Sequence, residues 1–63
     1  MKSLKLVLSA EHSKNIMVVD DHNFLVASIK SYNTKERVSK THGHRKVLRV
    51  DTDSKITTIQ IQH

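Results

Sequence analysis

The chain has no cysteine and no proline, a single glycine, and only Phe24 and Tyr32 as aromatic residues. Without cysteine there is no disulfide framework, no thiolate metal site and no Cys nucleophile, so core packing or association between copies must hold the fold, as suits a reducing compartment. One glycine and no proline is a thin supply of turn residues for a protein of many short strands. Long apolar runs are also missing. The start, Met1 to Ala10, imitates a secretion signal, but Lys5 interrupts it and leaves only Leu6 to Leu8 unbroken, short of the ~7–15 apolar residues such signals use. No stretch approaches the ~18 residues of a membrane span. The expectation is a soluble cytoplasmic protein without membrane contact.

At 63 residues, the chain has room for one domain, residues 1–63, which buries roughly 60% of the surface its unfolded chain exposes. A deep substrate cavity does not fit that size. Hydrophobic residues make up 37% of the sequence, enough for a modest core.

Leu4, Leu6 and Leu8 alternate with Lys5 and Val7, a period of two that predicts a first strand. Ile16 to Val19, bounded by Asp20 and Asp21, reads as a second strand hairpinned to it. Lys46 to Asp51 and Lys55 to Gln62 flank Thr52-Asp53-Ser54, and their β-branched residues give the clearest hairpin signal in the chain. From Phe24 to Asn33 the positions Leu25, Ile29 and Tyr32 follow helical spacing, with Asp21 or Asn23 as cap and a break near Asn33, where Glu36 three positions on can begin a new turn. The predicted fold is a small α+β domain, ββαββ, with one helix packed on an antiparallel sheet. The alternative makes Phe24 to Tyr32 a strand and pairs Arg37–Thr41 with Arg45–Asp51, closing a small all-β barrel. The predicted core is Leu6, Leu25, Ile29, Leu48, Val50, Ile59 and Ile61.

Charge is distributed unevenly. Lys30, Lys35, Arg37, Lys40, Arg45, Lys46 and Arg49 fall in one segment opposed there only by Glu36, while Glu11, Asp20, Asp21, Asp51 and Asp53 lie elsewhere. Such a segment raises a positive field that attracts polyanions and releases counterions from a nucleic-acid backbone. Its structural counterpart is a solvated helix end, since cations are favoured near a helix C-terminus. Stacking on single-stranded bases is disfavoured on the expectation that Phe24 and Tyr32 both lie on the apolar stripe, and duplex backbone contact suits the composition better.

His42-Gly43-His44, joined by His12 or His22, is the one group that invites a metal, but it has neither thiolates nor the fixed spacing of structural zinc sites, so no metal or other cofactor is expected. His42, His44, Arg45 and Lys46 also resemble a general base beside a phosphate clamp for cutting RNA. No second acid–base group accompanies them, and no phosphate-loop, dinucleotide, nucleophile-elbow or His-Glu-x-x-His signature occurs. The expected function is non-enzymatic: nucleic-acid binding through a basic helix end and loop, mainly to duplex phosphates. The alternative is a small regulator or inhibitor, of the virus-encoded type, acting on a host protein or nucleoprotein complex. Exposed edge strands make a homodimer compatible with both readings.

Overall fold

A computed structural model of the chain describes residues 2–53 and 55–62. Ser54, expected in the last turn, lies outside them. The elements are α1 (Leu4–Ala10), β1 (Asn15–Val19), β2 (Leu25–Ile29), α2 (Tyr32–His42), β3 (Val47–Asp53) and β4 (Ile56–Ile61). The strands form one open sheet in the order β2-β1-β4-β3. Two antiparallel hairpins, β1β2 and β3β4, meet at the centre through a parallel β1/β4 pairing. The protein is therefore α+β, with a mixed sheet rather than an antiparallel one. The sheet does not close into a barrel.

Both helices contribute to a core on one face of the sheet: Leu4 and Leu8 of α1 and Val38 of α2 cluster with Ile16, Val18, Ile29, Ile59 and Ile61. Alternation explains the strands. In β4, Thr57, Ile59 and Ile61 turn inward, while Thr58 and Gln60 turn to the uncovered, more polar face. That division is what an antiparallel hairpin with one wet face requires. Among the described residues no helix is long and apolar enough to cross a membrane.

The first expected strand is a helix. Leu4 and Leu8 are buried one turn apart, whereas Leu6 points outward and is 63% exposed. Ser3 caps the helix, its Oγ accepting from the Leu6 amide. The Leu4 and Lys5 amides donate to the carbonyls of Arg45 and Gly43 at 2.9 and 3.0 Å. Backbone from the other end of the chain thus satisfies amides that a helix start leaves free.

The expected helix over residues 24–33 is also corrected. Leu25–Ile29 is extended, with Ile29 opposite Ile16 and Ala27 opposite Val18. The acidic cluster before it serves a turn, not a helix cap. Asp20 Oδ1 accepts from the amides of His22 and Phe24, both at 2.9 Å, and Asn23 takes a left-handed conformation at φ 66°, which Asn tolerates at small cost. Gln60 Nε2 donates to the Asp20 carbonyl and to Asn23 Oδ1, tying the loop to β4. The helix begins later, where Ser31 Oγ accepts from the Thr34 amide, and continues through Arg37–Thr41, so those residues form no strand.

Of the expected core, Ile29, Ile59 and Ile61 are buried, while Leu6, Leu25, Leu48 and Val50 are exposed. Leu25 pairs with Val19, on the face no helix covers. Leu48 falls where the β3/β4 register shifts, and Val50 borders an open depression beside α1 that leaves it exposed.

One polar cluster joins the end of α1 and the loop after it to α2 and β4. Ser13 donates to Glu11 Oε1 from its amide (3.1 Å) and its hydroxyl (2.7 Å), and that hydroxyl also meets Thr57 Oγ1 at 2.9 Å. Lys35 Nζ donates to the Glu11 carbonyl at 2.6 Å, bringing α2 to the end of α1. The Ser13 hydroxyl and amide hold the Glu11 carboxyl below its ordinary 4.5. A carboxylate with a lowered folded pKa contributes stability that is present above the ordinary value and lost as pH falls through the folded one. Because solvent screens this partly exposed carboxylate, Glu11→Gln should melt only slightly lower than the parent at pH 7, and the two should converge below pH 4.5. Melting curves that stay equally separated down to acid would contradict this.

Candidate nucleic-acid interface

Three threonine or serine hydroxyls and few apolar residues fill α2, so the helix buries a single side chain, Val38, and turns most of its polar surface outward. Where it lies beside α1 the two helices leave an open groove of about 460 Å³, lined by Lys5, Leu8, Ser9, Tyr32, Lys35, Glu36, Ser39 and Lys40. The spacing explains the membership: Tyr32, Lys35, Glu36, Ser39 and Lys40 recur at three and four positions, which places them along one side of α2. Lys5, the single charge of α1, faces them. The groove therefore holds three ammonium groups against one carboxylate, with Leu8 of the core as its floor.

The expected cationic segment is divided by the fold. Lys35 and Lys40 share the groove, and Lys30 lies near its end with Glu11, His12, Lys14 and Lys35 around a smaller depression of about 290 Å³. Arg37 is on the other flank of α2, towards β2, with Val26, Ser28 and Thr41. Arg45 and Lys46 lie in the connection to β3, where the Arg45 carbonyl takes the Leu4 amide and the Lys46 carbonyl takes the Gln62 amide. Arg49 is apart from all of these. It sits opposite Gln60 on the uncovered face, its Nε 2.8 Å from Asp51 Oδ2.

Sequence reasoning overlooked Lys5 and Lys14, which lie well before the basic segment that begins at Lys30 and carry no local signal. It also misplaced the aromatic residues. Phe24 and Tyr32 are 70% and 75% exposed, so neither belongs to an apolar stripe, and Tyr32 stands at the rim of the basic groove. Of the acidic residues, Glu36 lines the groove and Glu11 stands at its end, beside Lys30 and Lys35, whereas Asp20 and Asp21 are in the β1–β2 loop, and Asp51 and Asp53 are on β3.

The histidines do not assemble. His42 is half-buried at the end of α2 on the β2 side, its Nδ1 without a hydrogen-bond partner among the described residues, whereas His44 is exposed in the following turn. Among the described residues no group of three or more His, Cys, Asp or Glu side chains is placed to hold a metal ion. The chain matches no protein-family model, no curated protein and no solved structure.

Proposed function

We propose that the chain is a small, non-enzymatic nucleic-acid-binding protein that contacts backbone phosphates with its helical layer. The observation that carries this reading is the groove between α1 and α2, where Lys5, Lys35 and Lys40 converge with Glu36 as their one opposing charge. A protein of net charge +5 whose acids are held mainly in loops and on β3 presents its strongest positive field over the helices. An open groove with flexible ammonium groups and short hydroxyl side chains suits phosphates, which need charge and donors but little shape. Lys30 and Lys14 extend the same surface past the end of the groove. Arg49 is no part of it.

Duplex binding should weaken steeply with salt, because each neutralised phosphate contributes roughly −0.9 to the log–log slope. Three to five contacts imply a slope of about −3 to −4.5. Lys5→Glu and Lys40→Glu should each lower affinity for all sequences alike and flatten the slope by about one unit, while Arg49→Gln leaves both unchanged. Fluorescence anisotropy with two unrelated labelled duplexes reads all of this. A Tyr32→Ala protein that loses affinity for single strands but not for duplexes would move the substrate to single-stranded nucleic acid. Absence of duplex binding at low salt, with a stoichiometric complex formed with one cellular protein, would replace this reading by that of a protein-binding regulator.

A further inference from the structure

β3 ends the sheet on the side away from β2. Its outer edge is occupied only at the start, where the Val47 amide donates to the Lys2 carbonyl at 2.9 Å and Ser3 bridges Lys46. From Leu48 to Asp53 no strand among the described residues pairs with that edge. The helical layer also stops short of it. Val50 faces the helix side, opposite the buried Ile59, yet it is 43% exposed. With Leu6, Val7 and Ala10 of α1 it lines a depression of about 340 Å³ that Lys2 and Glu11 border. An unpaired edge flanked by uncovered aliphatic side chains is a template for another strand.

We propose that this edge pairs antiparallel with the same edge of a second copy, with Val50 opposite the partner's Val50 on a two-fold axis perpendicular to the sheet. The sequence around Val50 selects both the occupant and the register. Centred there, Arg49 stands opposite the partner's Asp51 and Asp51 opposite the partner's Arg49. Moving the centre to Arg49 sets Arg against Arg, and moving it to Asp51 sets Asp against Asp. Registers centred between residues would put facing side chains on opposite faces of the sheet, which the two-fold forbids. Only the Val50 register matches both charges, and like charges directly opposite are destabilising. Arg49 and Asp51 already meet at 2.8 Å within one copy, so pairing turns two ion pairs into a closed ring of four charges. On the other face the two Val50 side chains meet between the two Leu6 side chains and fill the depression.

The joint covers less than the roughly 800 Å² per partner of a standard interface, so its dissociation constant should lie on the order of 10–100 µM. Sedimentation equilibrium from about 5 µM to about 1 mM, without nucleic acid, reads it directly. The parent protein should pass from monomer to dimer across that range. Arg49→Asp and Asp51→Arg should each remain monomeric, and circular dichroism should find both folded, because the two side chains are 70% and 57% exposed. Mixing these two variants should restore a one-to-one dimer, since every facing pair is then again of opposite charge. A parent that stays monomeric at about 1 mM overturns the proposal, as does a dimer that persists in Arg49→Asp or a mixture that remains monomeric.

Discussion

Leu8→Asp is expected to abolish the folded state, while Leu6→Asp, two positions away, is expected to melt cooperatively within about 0.5 kcal/mol of the parent. Leu8 is 1% exposed and packs in the central cluster. Its removal forfeits roughly 1.5–3 kcal/mol of apolar burial, and an unpaired carboxylate in the same place costs several more. A domain this small has a total stability near the low end of about 5–15 kcal/mol, so the sum leaves nothing folded. Leu6 is turned outward in the first turn of α1, where a carboxylate meets the positive end of the helix and is mildly favoured. A strand over the same residues would bury Leu4, Leu6 and Leu8 alike, and both variants would then fail. Far-UV circular dichroism with thermal melting separates the outcomes: an unfolded Leu6→Asp would refute α1, and so would a cooperatively melting Leu8→Asp.

That contrast also locates where the sequence was ambiguous. Leu4 and Leu8 satisfy a period of two and a helical repeat equally well, so the choice between them rested on Leu6 and Val7. A seven-residue helix is too short to be stable on its own propensity. What holds α1 is the acceptor pair formed by the Arg45 and Gly43 carbonyls, a contact across most of the chain that no local pattern encodes. α2 was hidden for a different reason. Its inward positions Thr34, Val38 and His42 follow at intervals of four, but only Val38 is apolar, so the periodicity that marks an amphipathic helix was nearly silent. Leu25, Ile29 and Tyr32 imitated that periodicity, although Leu25 and Tyr32 face water. The hairpin β3β4 was legible because β-branched residues there are interspersed with polar ones around a short turn, and the short strand β1 because its apolar run from Ile16 to Val19 is bounded by Asp20 and Asp21.

The candidate interface was legible as a charge imbalance and illegible as a surface. Counting cations identified Lys35 and Lys40, but a linear segment says nothing about which side of a helix each residue takes. Arg37 and Lys40 are three positions apart and still fall on different flanks of α2. Arg49 belongs to the same stretch of sequence and faces the opposite side of the sheet, already paired with Asp51. Lys5 joins the groove because α1 docks beside α2, and that docking depends on the same contacts that hide α1 from a reading of periodicity.

Gly43→Ala is expected to destabilise the protein by about 1–3 kcal/mol, the range for forcing atoms into a filled site. Gly43 follows α2 with ordinary right-handed angles, φ −61° and ψ −24°, so no backbone preference calls for glycine there. On conformational entropy alone, alanine should stabilise it by up to about 1 kcal/mol. Space decides otherwise. A methyl group at Gly43 would overlap the Ser39 carbonyl oxygen and come within 3.0 Å of Lys5 Cβ. The residue cannot withdraw from them freely, because its own carbonyl accepts the Lys5 amide at 3.0 Å. Any shift that relieves the overlap therefore loosens the start of α1 and the groove between the helices. The two expectations have opposite signs, which makes urea denaturation decisive. With a slope near 1 kcal/mol per molar for a small domain, the midpoint should fall by roughly 1–3 M, whereas a midpoint that rises would show that α1 does not approach α2 as closely as this packing requires.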